Sequence, residues 1–206
     1  MTSYDQRDPQ TDSLITPENS ALLIIDYQPT QINSIESMPH AALVQKEVQV
    51  AKLAKAYHVP IILSTVNVRT GRNQDTIPQL KAALGDIKSY DRTSINAWED
   101  KDFVAAVEAT GRKKLLITAL WTEACLTFPT LDALRAGYEV YPIVDSVGGT
   151  STLAHETALR RVEQAGAQLI SFPQLACELQ RDWNRTDHVK DFTDAMFDAG
   201  IFLKLD

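Results

Sequence analysis

The sequence predicts an α/β fold of three layers, in which helices cover both faces of a central, mostly parallel β-sheet. Short apolar runs alternate along the chain with longer segments of helical periodicity, a pattern typical of parallel strands joined by crossover helices. The runs also lack any alternation of apolar and polar residues, which indicates strands buried on both faces. Together these two observations favour a sheet between two layers of helices.

Five apolar runs predict the strands. They lie at residues 21–25, 60–64, 115–118, 140–144 and 168–171. Pro142 falls inside the fourth run, and proline cannot donate a hydrogen bond to a neighbouring strand. We therefore expect this strand at an edge of the sheet, or with a bulge.

Four segments between the runs predict helices. They cover residues 41–57, residues 100–110, a stretch that begins near Cys125 and stops at Gly137, and residues 155–165. A glycine ends three of these segments, which is a common way for a helix to stop.

The whole chain, residues 1–206, is expected to form one domain, because its length and its 44% of apolar residues suit a single core. Residues 1–15 are an N-terminal extension and residues 184–206 a C-terminal tail outside the alternation. The tail still carries six large apolar side chains, namely Phe192, Met196, Phe197, Ile201, Phe202 and Leu203. We expect it to pack on the domain or at an interface with a neighbouring subunit.

Composition excludes several classes of partner. A net charge of −7 and a pI near 5.1 argue against a nucleic-acid partner, which needs a basic face. No run approaches the ~20 apolar residues of a membrane-spanning helix, and residues 1–10 lack the apolar core of a signal peptide. The two cysteines, Cys125 and Cys177, form no CxxC pair and suit a reducing compartment. We expect a cytoplasmic protein.

The candidate site lies beyond the carboxyl ends of the strands, where open parallel sheets bind their ligands. Asp26 follows the first run, and Cys125 comes shortly after the third. Pro129 cannot lie deep inside a helix, so a helix that contains it begins no more than about one turn earlier. Cys125 then lies near a helix N-terminus, where the dipole stabilises a thiolate. Position alone leaves a small buried hydrophobe as an equally good interpretation.

The second cysteine and the histidines predict no further chemistry. Cys177 lies in an amphipathic stretch, so we expect it to be buried and Cys125 to be the more reactive thiol. No histidine follows a strand at the cleft, and no two have metal-ligand spacing. These residues are His40, His58, His155 and His188. The glycine-rich residues 146–150 match neither GxGxxG nor a Walker loop. We expect no metal and no cofactor.

Two motifs resemble those of the cysteine-hydrolase superfamily, which includes isochorismatases and nicotinamidases. Residues 22–28, Leu-Leu-Ile-Ile-Asp-Tyr-Gln, resemble its hydrophobic-D-x-Q motif, and residues 121–125, Trp-Thr-Glu-Ala-Cys, are similar to its T-[DE]-x-C motif. Residues 95–98 and 176–183 resemble the YcaC-type subgroup. The similarity extends from about residue 20 to residue 183.

The resemblance implies an isochorismatase-like fold of Rossmann-type topology and a catalytic triad of Asp26, Arg92 and Cys125. Arg92 stands where the superfamily usually carries lysine, as it does in YcaC-like members. Arginine effectively cannot lose its proton, so Arg92 can only supply a fixed positive charge. Read alone, it would be a solvated cation in a loop.

The resemblance also implies further features of the site. The substrate-binding residues would be Gln28, Asn96, Trp121, Ala124 and Phe128. A cis peptide bond would join Leu120 and Trp121. Residues 67–72 do not match the metal site of nicotinamidases, which argues against both a metal and nicotinamide as the substrate. Trp98, Trp121 and Phe128 are equally credible as pocket lining and as core.

The activity implied is hydrolysis of a small amide-like substrate, in which Cys125 forms a thioester acyl-enzyme. Two alternatives stay open. One is isochorismatase-like vinyl-ether hydrolysis by a carboxylate, without a covalent intermediate. The other is a redox or scaffold protein with a reactive Cys125. YcaC-like proteins assemble as stacked-ring octamers, so the resemblance also implies a homo-oligomer.

Overall fold

The sheet of the protein consists of five strands that are all parallel. A computed structural model describes residues 3–203. The strands are β1 Ser20–Ile25, β2 Ile61–Val66, β3 Ser89–Arg92, β4 Lys114–Ala119 and β5 Glu139–Pro142. Their order across the sheet is β3-β2-β1-β4-β5, which is the order of a doubly wound, Rossmann-type sheet. The predicted three-layer α/β fold is confirmed.

Eight α-helices accompany the sheet among the described residues. They are α1 Pro29–Asn33, α2 His40–Ala56, α3 Pro78–Leu84, α4 Lys101–Ala109, α5 Thr127–Arg135, α6 Thr152–Gln164, α7 Phe172–Gln180 and α8 Val189–Asp198. The helices predicted at 41–57, 100–110 and 155–165 correspond to α2, α4 and α6. Side-chain caps define the starts of α4 and α6. Asp100 accepts a hydrogen bond from Phe103 N at the start of α4, and Ser151 accepts one from Ala154 N at the start of α6. Within residues 3–203, no helix is long and apolar enough to cross a membrane.

Two strand predictions are wrong. Residues 168–171 form no strand, although Ile170 makes an isolated bridge to Ile143 beside β5. At the other edge, β3 was not predicted, because its sequence Ser-Tyr-Asp-Arg contains no apolar run. The expectation for Pro142 is confirmed: it is the last residue of β5, the outer strand of the sheet next to β4.

Buried side chains form one apolar cluster on each face of the sheet. Successive residues of a strand point to opposite faces, and β1 follows this rule. Leu22 and Ile24 pack in the cluster beneath α2, α3, α7 and α8. Leu23 and Ile25 pack in the cluster beneath α4 and α5. Because all six residues of β1 are buried, polar groups at its end are placed in the interior.

The C-terminal tail packs on the domain through α8. Phe192 and Met196 are each 4% exposed and belong to the cluster around α2 and α7. Part of the tail remains on the surface, as Leu203 is 73% exposed. Residues 204–206 lie outside the described part of the chain. The N-terminal extension is also attached, since Arg181 pairs with Asp12 at 3.0 Å.

We predict that Phe192→Ala lowers the free energy of unfolding by about 3–5 kcal/mol, because it leaves a cavity beneath α8. Urea denaturation measures this change. Leu153→Ala is the control: Leu153 is 76% exposed on α6, so its loss should change stability by less than about 0.5 kcal/mol. Equal stability of the two variants would mean that α8 is not part of the core.

Candidate active site

A buried ion pair joins the ends of β1 and β3. Asp26 follows β1 directly, with a φ of 64°, and is 0% exposed, while Arg92 is the last residue of β3 and 2% exposed. Arg92 Nη1 and Nη2 each donate to one carboxylate oxygen of Asp26 at 2.7 Å. β2 lies between the two strands, and Arg92 also donates to Ser64 Oγ and to the Thr65 carbonyl there. This two-pronged geometry is the strongest form of carboxylate recognition.

The electrostatics of this pair favour charge on Arg92. Burial alone lowers the pKa of Arg92, but the hydrogen bonds and the charge of Asp26 outweigh burial, so the pKa is raised. Arg92 therefore stays a cation, as the sequence predicts. Removing one partner of such a buried pair leaves the other charge uncompensated.

Cys125 lies in a π-helical turn, Thr122–Leu126, that connects β4 to α5. Three hydrogen bonds hold this turn: Thr122 N donates to the Gly148 carbonyl at 2.8 Å, Leu126 N to Trp121 O at 3.1 Å, and the Thr127 hydroxyl to Thr122 O at 2.7 Å. The peptide bond between Leu120 and Trp121 is cis, as the resemblance implies. The α-helix begins only at Thr127, so the prediction that it begins near Cys125 needs correction: the π-helical turn comes first.

The surroundings of Cys125 raise the pKa of its thiol, whereas the sequence predicts that a helix N-terminus and Arg92 favour the thiolate. Burial is the main cause, and the charge and hydrogen bond of Asp26 add to it, so that the pKa of Cys125 is raised well above its usual value. Arg92 and a hydrogen bond from the Trp121 backbone lower this pKa, but by less. Asp26 lies where it can accept the thiol proton.

Two residues expected to contact substrate have other partners. Gln28 is fully buried; its Nε2 donates to the carbonyls of Val66 and Gln74, and its Oε1 accepts from Val66 N. The Asn96 amide donates to Asp132 at 2.7 Å, and its oxygen accepts from Trp98 N. Both side chains therefore hold the backbone around the site, and their contact with a substrate stays a prediction.

The other three residues expected to contact a substrate lie close to Cys125 in the chain and are partly accessible to solvent. Trp121, Ala124 and Phe128 are each partly exposed, and Trp121 Nε1 donates to Ser34 Oγ at 2.6 Å. These three stay candidates for substrate contact. Trp98 instead packs edge-to-face on Tyr138 with ring centres 5.6 Å apart, which makes it part of the core on that face.

A second polar cluster, missed from the sequence, holds the loop after β5 against the π-helical turn. Glu123 Oε1 accepts from the backbone N and the hydroxyl of Thr150, at 3.0 and 2.5 Å. The Thr122 hydroxyl bonds to His155 Nδ1 at 2.8 Å. A side chain at Gly149 would meet Glu123 Oε2 at 2.7 Å. The glycine pair at 148–149 was the signal for this close approach.

Cys177 is exposed on α7, contrary to the predicted burial. The buried face of α7 carries Leu175, Ala176 and Leu179, and a helix turns about 100° per residue. This rotation places Cys177 on the outer side.

Access to Cys125 is narrow. Cys125 is 7% exposed, and the cavities of about 590, 700 and 220 Å³ on the described chain are lined by residues other than Asp26, Arg92 and Cys125. Between residues 3 and 203 no group of three or more His, Cys, Asp or Glu side chains could hold a metal ion.

Fold and site together define the class of protein. Residues 20–174 match the family model "Isochorismatase domain", so the chain belongs to the isochorismatase family. The chain is 34% identical over 188 residues to the Escherichia coli (strain K12) protein named Probable hydrolase YcaC, covering 86% of this chain and 90% of the relative. The predicted membership of the superfamily and the likeness to its YcaC-type subgroup are confirmed.

Solved structures of YcaC proteins have the same fold. The crystal structure of E. coli YcaC gives a TM-score of 0.81 at 33% identity, covering 90% of this chain and 96% of that one. YcaC from Pseudomonas aeruginosa was solved with hexane-2,5-diol and covalent acrylamide. It gives a TM-score of 0.81 at 30% identity, covering 92% of this chain and 98% of that one. A Bacillus subtilis nicotinamidase/pyrazinamidase shares the fold alone. Its identity to this chain is 15% and the TM-score is 0.62, covering 74% of this chain and 100% of that one.

We predict that a bulky aromatic disulfide reagent modifies the native protein at Cys177 and leaves Cys125 intact, because only Cys177 is exposed. This reverses the order of reactivity expected from the sequence. Mass spectrometry of the labelled peptides measures it. Cys177→Ser should abolish labelling of the native protein, and Cys125→Ser should not change it. Labelling of Cys125 in the native protein would contradict the burial described above.

We predict that Arg92→Ala lowers the free energy of unfolding by about 3–5 kcal/mol, since Asp26 is left buried without its partner. The same variant should raise the pKa of Cys125, because the charge of Arg92 lowers it. Arg92→Lys keeps a cation but not the two-pronged contact, so its effects should be smaller. Urea denaturation and the pH dependence of Cys125 alkylation measure the two effects. An unchanged thiol pKa in Arg92→Ala would exclude Arg92 as its electrostatic partner.

Proposed function

We propose that this protein is a cysteine hydrolase that cleaves a small amide-like (C–N) substrate through a thioester acyl-enzyme, with Asp26, Arg92 and Cys125 as its triad. One observation carries the proposal. The Cys125 thiol lies close enough to Asp26 for the charge of that carboxylate to raise the pKa of the thiol, while Arg92 holds both oxygens of the carboxylate. A nucleophile within reach of a base that a third group orients is the arrangement of covalent catalysis.

In the first step, Asp26 accepts the thiol proton as the sulfur attacks the substrate carbonyl carbon. The raised pKa of Cys125 means that the proton leaves during the attack, which is general base catalysis. Arg92 keeps the carboxylate in place and stabilises the charge that forms on sulfur. Its three further donor contacts, to Ser64, Thr65 and Ile95, are not needed for this role, but they hold the guanidinium still.

In the second step, the tetrahedral intermediate breaks down. Backbone N–H groups of Cys125 and a neighbouring residue would hold the oxyanion, at about 3 kcal/mol for each donor. The C–N bond breaks as the leaving amine takes the proton from Asp26. Water then attacks the thioester, Asp26 accepts a proton from that water, and the carboxylic acid product departs as the sulfur regains a proton.

The relatives support hydrolysis of a small substrate. E. coli YcaC is described as an octameric hydrolase of unknown specificity, and P. aeruginosa YcaC holds covalent acrylamide, a small amide that also carries an electrophilic double bond. The narrow access to Cys125 agrees with a substrate of that size. Of the expected substrate contacts, we propose Trp121, Ala124 and Phe128.

The two alternatives have less support. Vinyl-ether hydrolysis by a carboxylate gives Cys125 no role, whereas the thiol lies close to Asp26. A redox disulfide needs a second cysteine, and the only other cysteine is Cys177. Cys177 lies on α7, which packs over one face of the sheet, whereas Cys125 belongs to the cluster on the other face.

We further propose a homo-oligomer, an octamer by analogy with E. coli YcaC, and a cytoplasmic location. Exposed apolar side chains in the tail, such as Ile201 and Leu203, support a subunit interface there. Two free cysteines support a reducing compartment. Light scattering of the native protein decides the subunit number.

We predict that a panel of small amides contains a substrate whose hydrolysis Cys125→Ala abolishes. Asp26→Asn should reduce turnover by about 10²–10⁴-fold, as expected for loss of a general base. The same substitution should lower the pKa of Cys125, because the charge of Asp26 raises it. Product assays and the pH dependence of Cys125 alkylation give these two results.

Cys177→Ser is the matched control and should keep full activity. Turnover that survives Cys125→Ala but not Asp26→Asn would instead support vinyl-ether-type acid chemistry. Turnover by neither the native protein nor its variants, together with rapid oxidation of Cys125, would support the redox alternative.

A further inference from the structure

The loop after β3 carries an amide side chain that the proposed mechanism does not use. Asn96 lies in this loop, four residues after Arg92, and is 7% exposed. Its Nδ2 donates to Asp132 Oδ2 at 2.7 Å, and Asp132 is a partly exposed residue of α5. Because α5 follows the turn that contains Cys125, this bond joins the segment after the triad arginine to the segment after the triad cysteine.

The other bonds of Asn96 stay inside the loop. Asn96 Oδ1 accepts from Trp98 N at 3.0 Å. The Asn96 carbonyl accepts from Ser94 Oγ at 2.9 Å and from Glu99 N at 3.2 Å. A second contact of Nδ2, to Glu99 Oε1, is long at 3.4 Å. Within residues 3–203, the bond to Asp132 is thus the hydrogen bond through which Asn96 reaches another segment.

At one end, the loop is tied to the buried ion pair. Arg92 Nη2 donates both to Asp26 Oδ2 at 2.7 Å and to the Ile95 carbonyl at 2.9 Å. That carbonyl belongs to the peptide unit that joins Ile95 to Asn96, and a peptide unit is planar and rigid. Fixing Asn96 therefore also fixes an acceptor of the guanidinium.

At the other end, the bond reaches the helix that follows Cys125. The π-helical turn runs directly into α5, which begins at Thr127. The Thr127 hydroxyl donates to the carbonyl of Thr122, the first residue of the turn, at 2.7 Å. The turn and α5 are therefore one continuous helical unit, and Asp132 is part of it.

Apolar contacts bring the same two segments together. Trp98, in a short 3₁₀ helix after Asn96, packs edge-to-face on Tyr138 just beyond α5. Ala97 is fully buried in the apolar cluster that contains Cys125. Such burial is non-directional and leaves the alignment of the segments open, whereas a hydrogen bond weakens steeply when its angle changes. The bond to Asp132 can therefore set the alignment that packing alone does not.

We propose that the hydrogen bond between Asn96 and Asp132 holds the loop that contacts Arg92 in fixed alignment with the helix that follows Cys125, and so sets the position of the guanidinium relative to the thiol. Asn96 and Asp132 are positioning residues, because within residues 3–203 neither side chain bonds to Asp26, Arg92 or Cys125. This role rests on the proposed function, in which Arg92 stabilises the charge that forms on the sulfur.

The pH profile of Cys125 alkylation by acrylamide tests the position of Arg92, because the charge of Arg92 lowers the pKa of the thiol. Asp132→Ala removes the acceptor, so the profile should move to higher pH and the rate at pH 7 should fall by about threefold to tenfold. A carboxylate that acted only through its charge would have the opposite effect, since its loss lowers a thiol pKa. A profile that is unchanged or moves to lower pH would overturn the proposal.

Two controls accompany this measurement. Cys177 in the same sample is the internal control, because it is exposed on α7 and its rate should be the same in every variant. Asp102→Asn is the matched control for loss of a carboxylate, since Asp102 is exposed on α4. It should leave the Cys125 profile where it is in the native protein.

Exchanging the two side chains tests the bond itself. Asn96→Asp alone places two carboxylates together and should slow alkylation of Cys125 by about tenfold. In the double variant Asn96→Asp with Asp132→Asn, an amide on α5 faces a carboxylate in the loop, and that carboxylate can still accept from Trp98 N. Alkylation should return to within about twofold of the native rate. A double variant as slow as Asn96→Asp would overturn the proposal, because an amide needed at position 96 for another contact is not restored by the exchange.

Hydrogen exchange separates failure of this proposal from failure of the proposed function. The peptide with Trp98 and Glu99, whose N–H groups donate to Asn96, should exchange at least about fivefold faster in Asp132→Ala. It should exchange at the native rate in the double variant. Native exchange in Asp132→Ala would overturn the role of the bond. If Cys125 of the native protein does not react with acrylamide, the proposed nucleophile fails, whereas the exchange result still decides whether the bond to Asp132 holds the loop.

Discussion

The ion pair between Asp26 and Arg92 constrains the arrangement of the whole carboxyl edge of the sheet. Two charges removed from water are tolerated only when their geometry is good and their remaining hydrogen-bonding groups are satisfied. Arg92 meets this condition by donating to Asp26, to β2 and to the Ile95 carbonyl. β3 must therefore end level with β1, with β2 between them. These partners explain why a charged residue can end β3 in the interior.

Cys125 is placed by a second set of constraints, on the other side of β1. Leu120 N donates to the Ile25 carbonyl, the last residue of β1, so that the end of β4 is in register with Asp26. The π-helical turn is held against the loop after β5 by Gly148 and by Glu123, which bonds to Thr150. Burial and the neighbouring carboxylate raise the pKa of the thiol, and a smaller fraction of thiolate limits side reactions with oxidants and alkylating agents.

Much of the architecture was predictable from local patterns. The run at 21–25 and the run at 115–118 correspond to β1 and β4 because strands buried on both faces must be apolar throughout. β3 was not predictable in this way, since it is polar and is recognised only by its pairing with β2. Cys177 was misplaced because its neighbours, but not the cysteine itself, form the apolar face of α7. Gln28 and Asn96 belong to family motifs, yet their amides bond to backbone and to Asp132, so a motif by itself does not distinguish a contact with substrate from a contact that holds a loop.

The sequence by itself determined the alternation of buried strands with helices, the family, and the positions of Asp26 and Cys125 after buried strands. These features follow from the periodicity of neighbouring residues and from short motifs. Only the tertiary structure decided that Arg92 holds both oxygens of Asp26, that burial raises the pKa of the Cys125 thiol, and that Glu47, which is buried on α2, lies without a cation among the described residues. These features depend on distances between residues far apart in the chain and on how completely each group is removed from water. Neither quantity is present in the local pattern of the sequence.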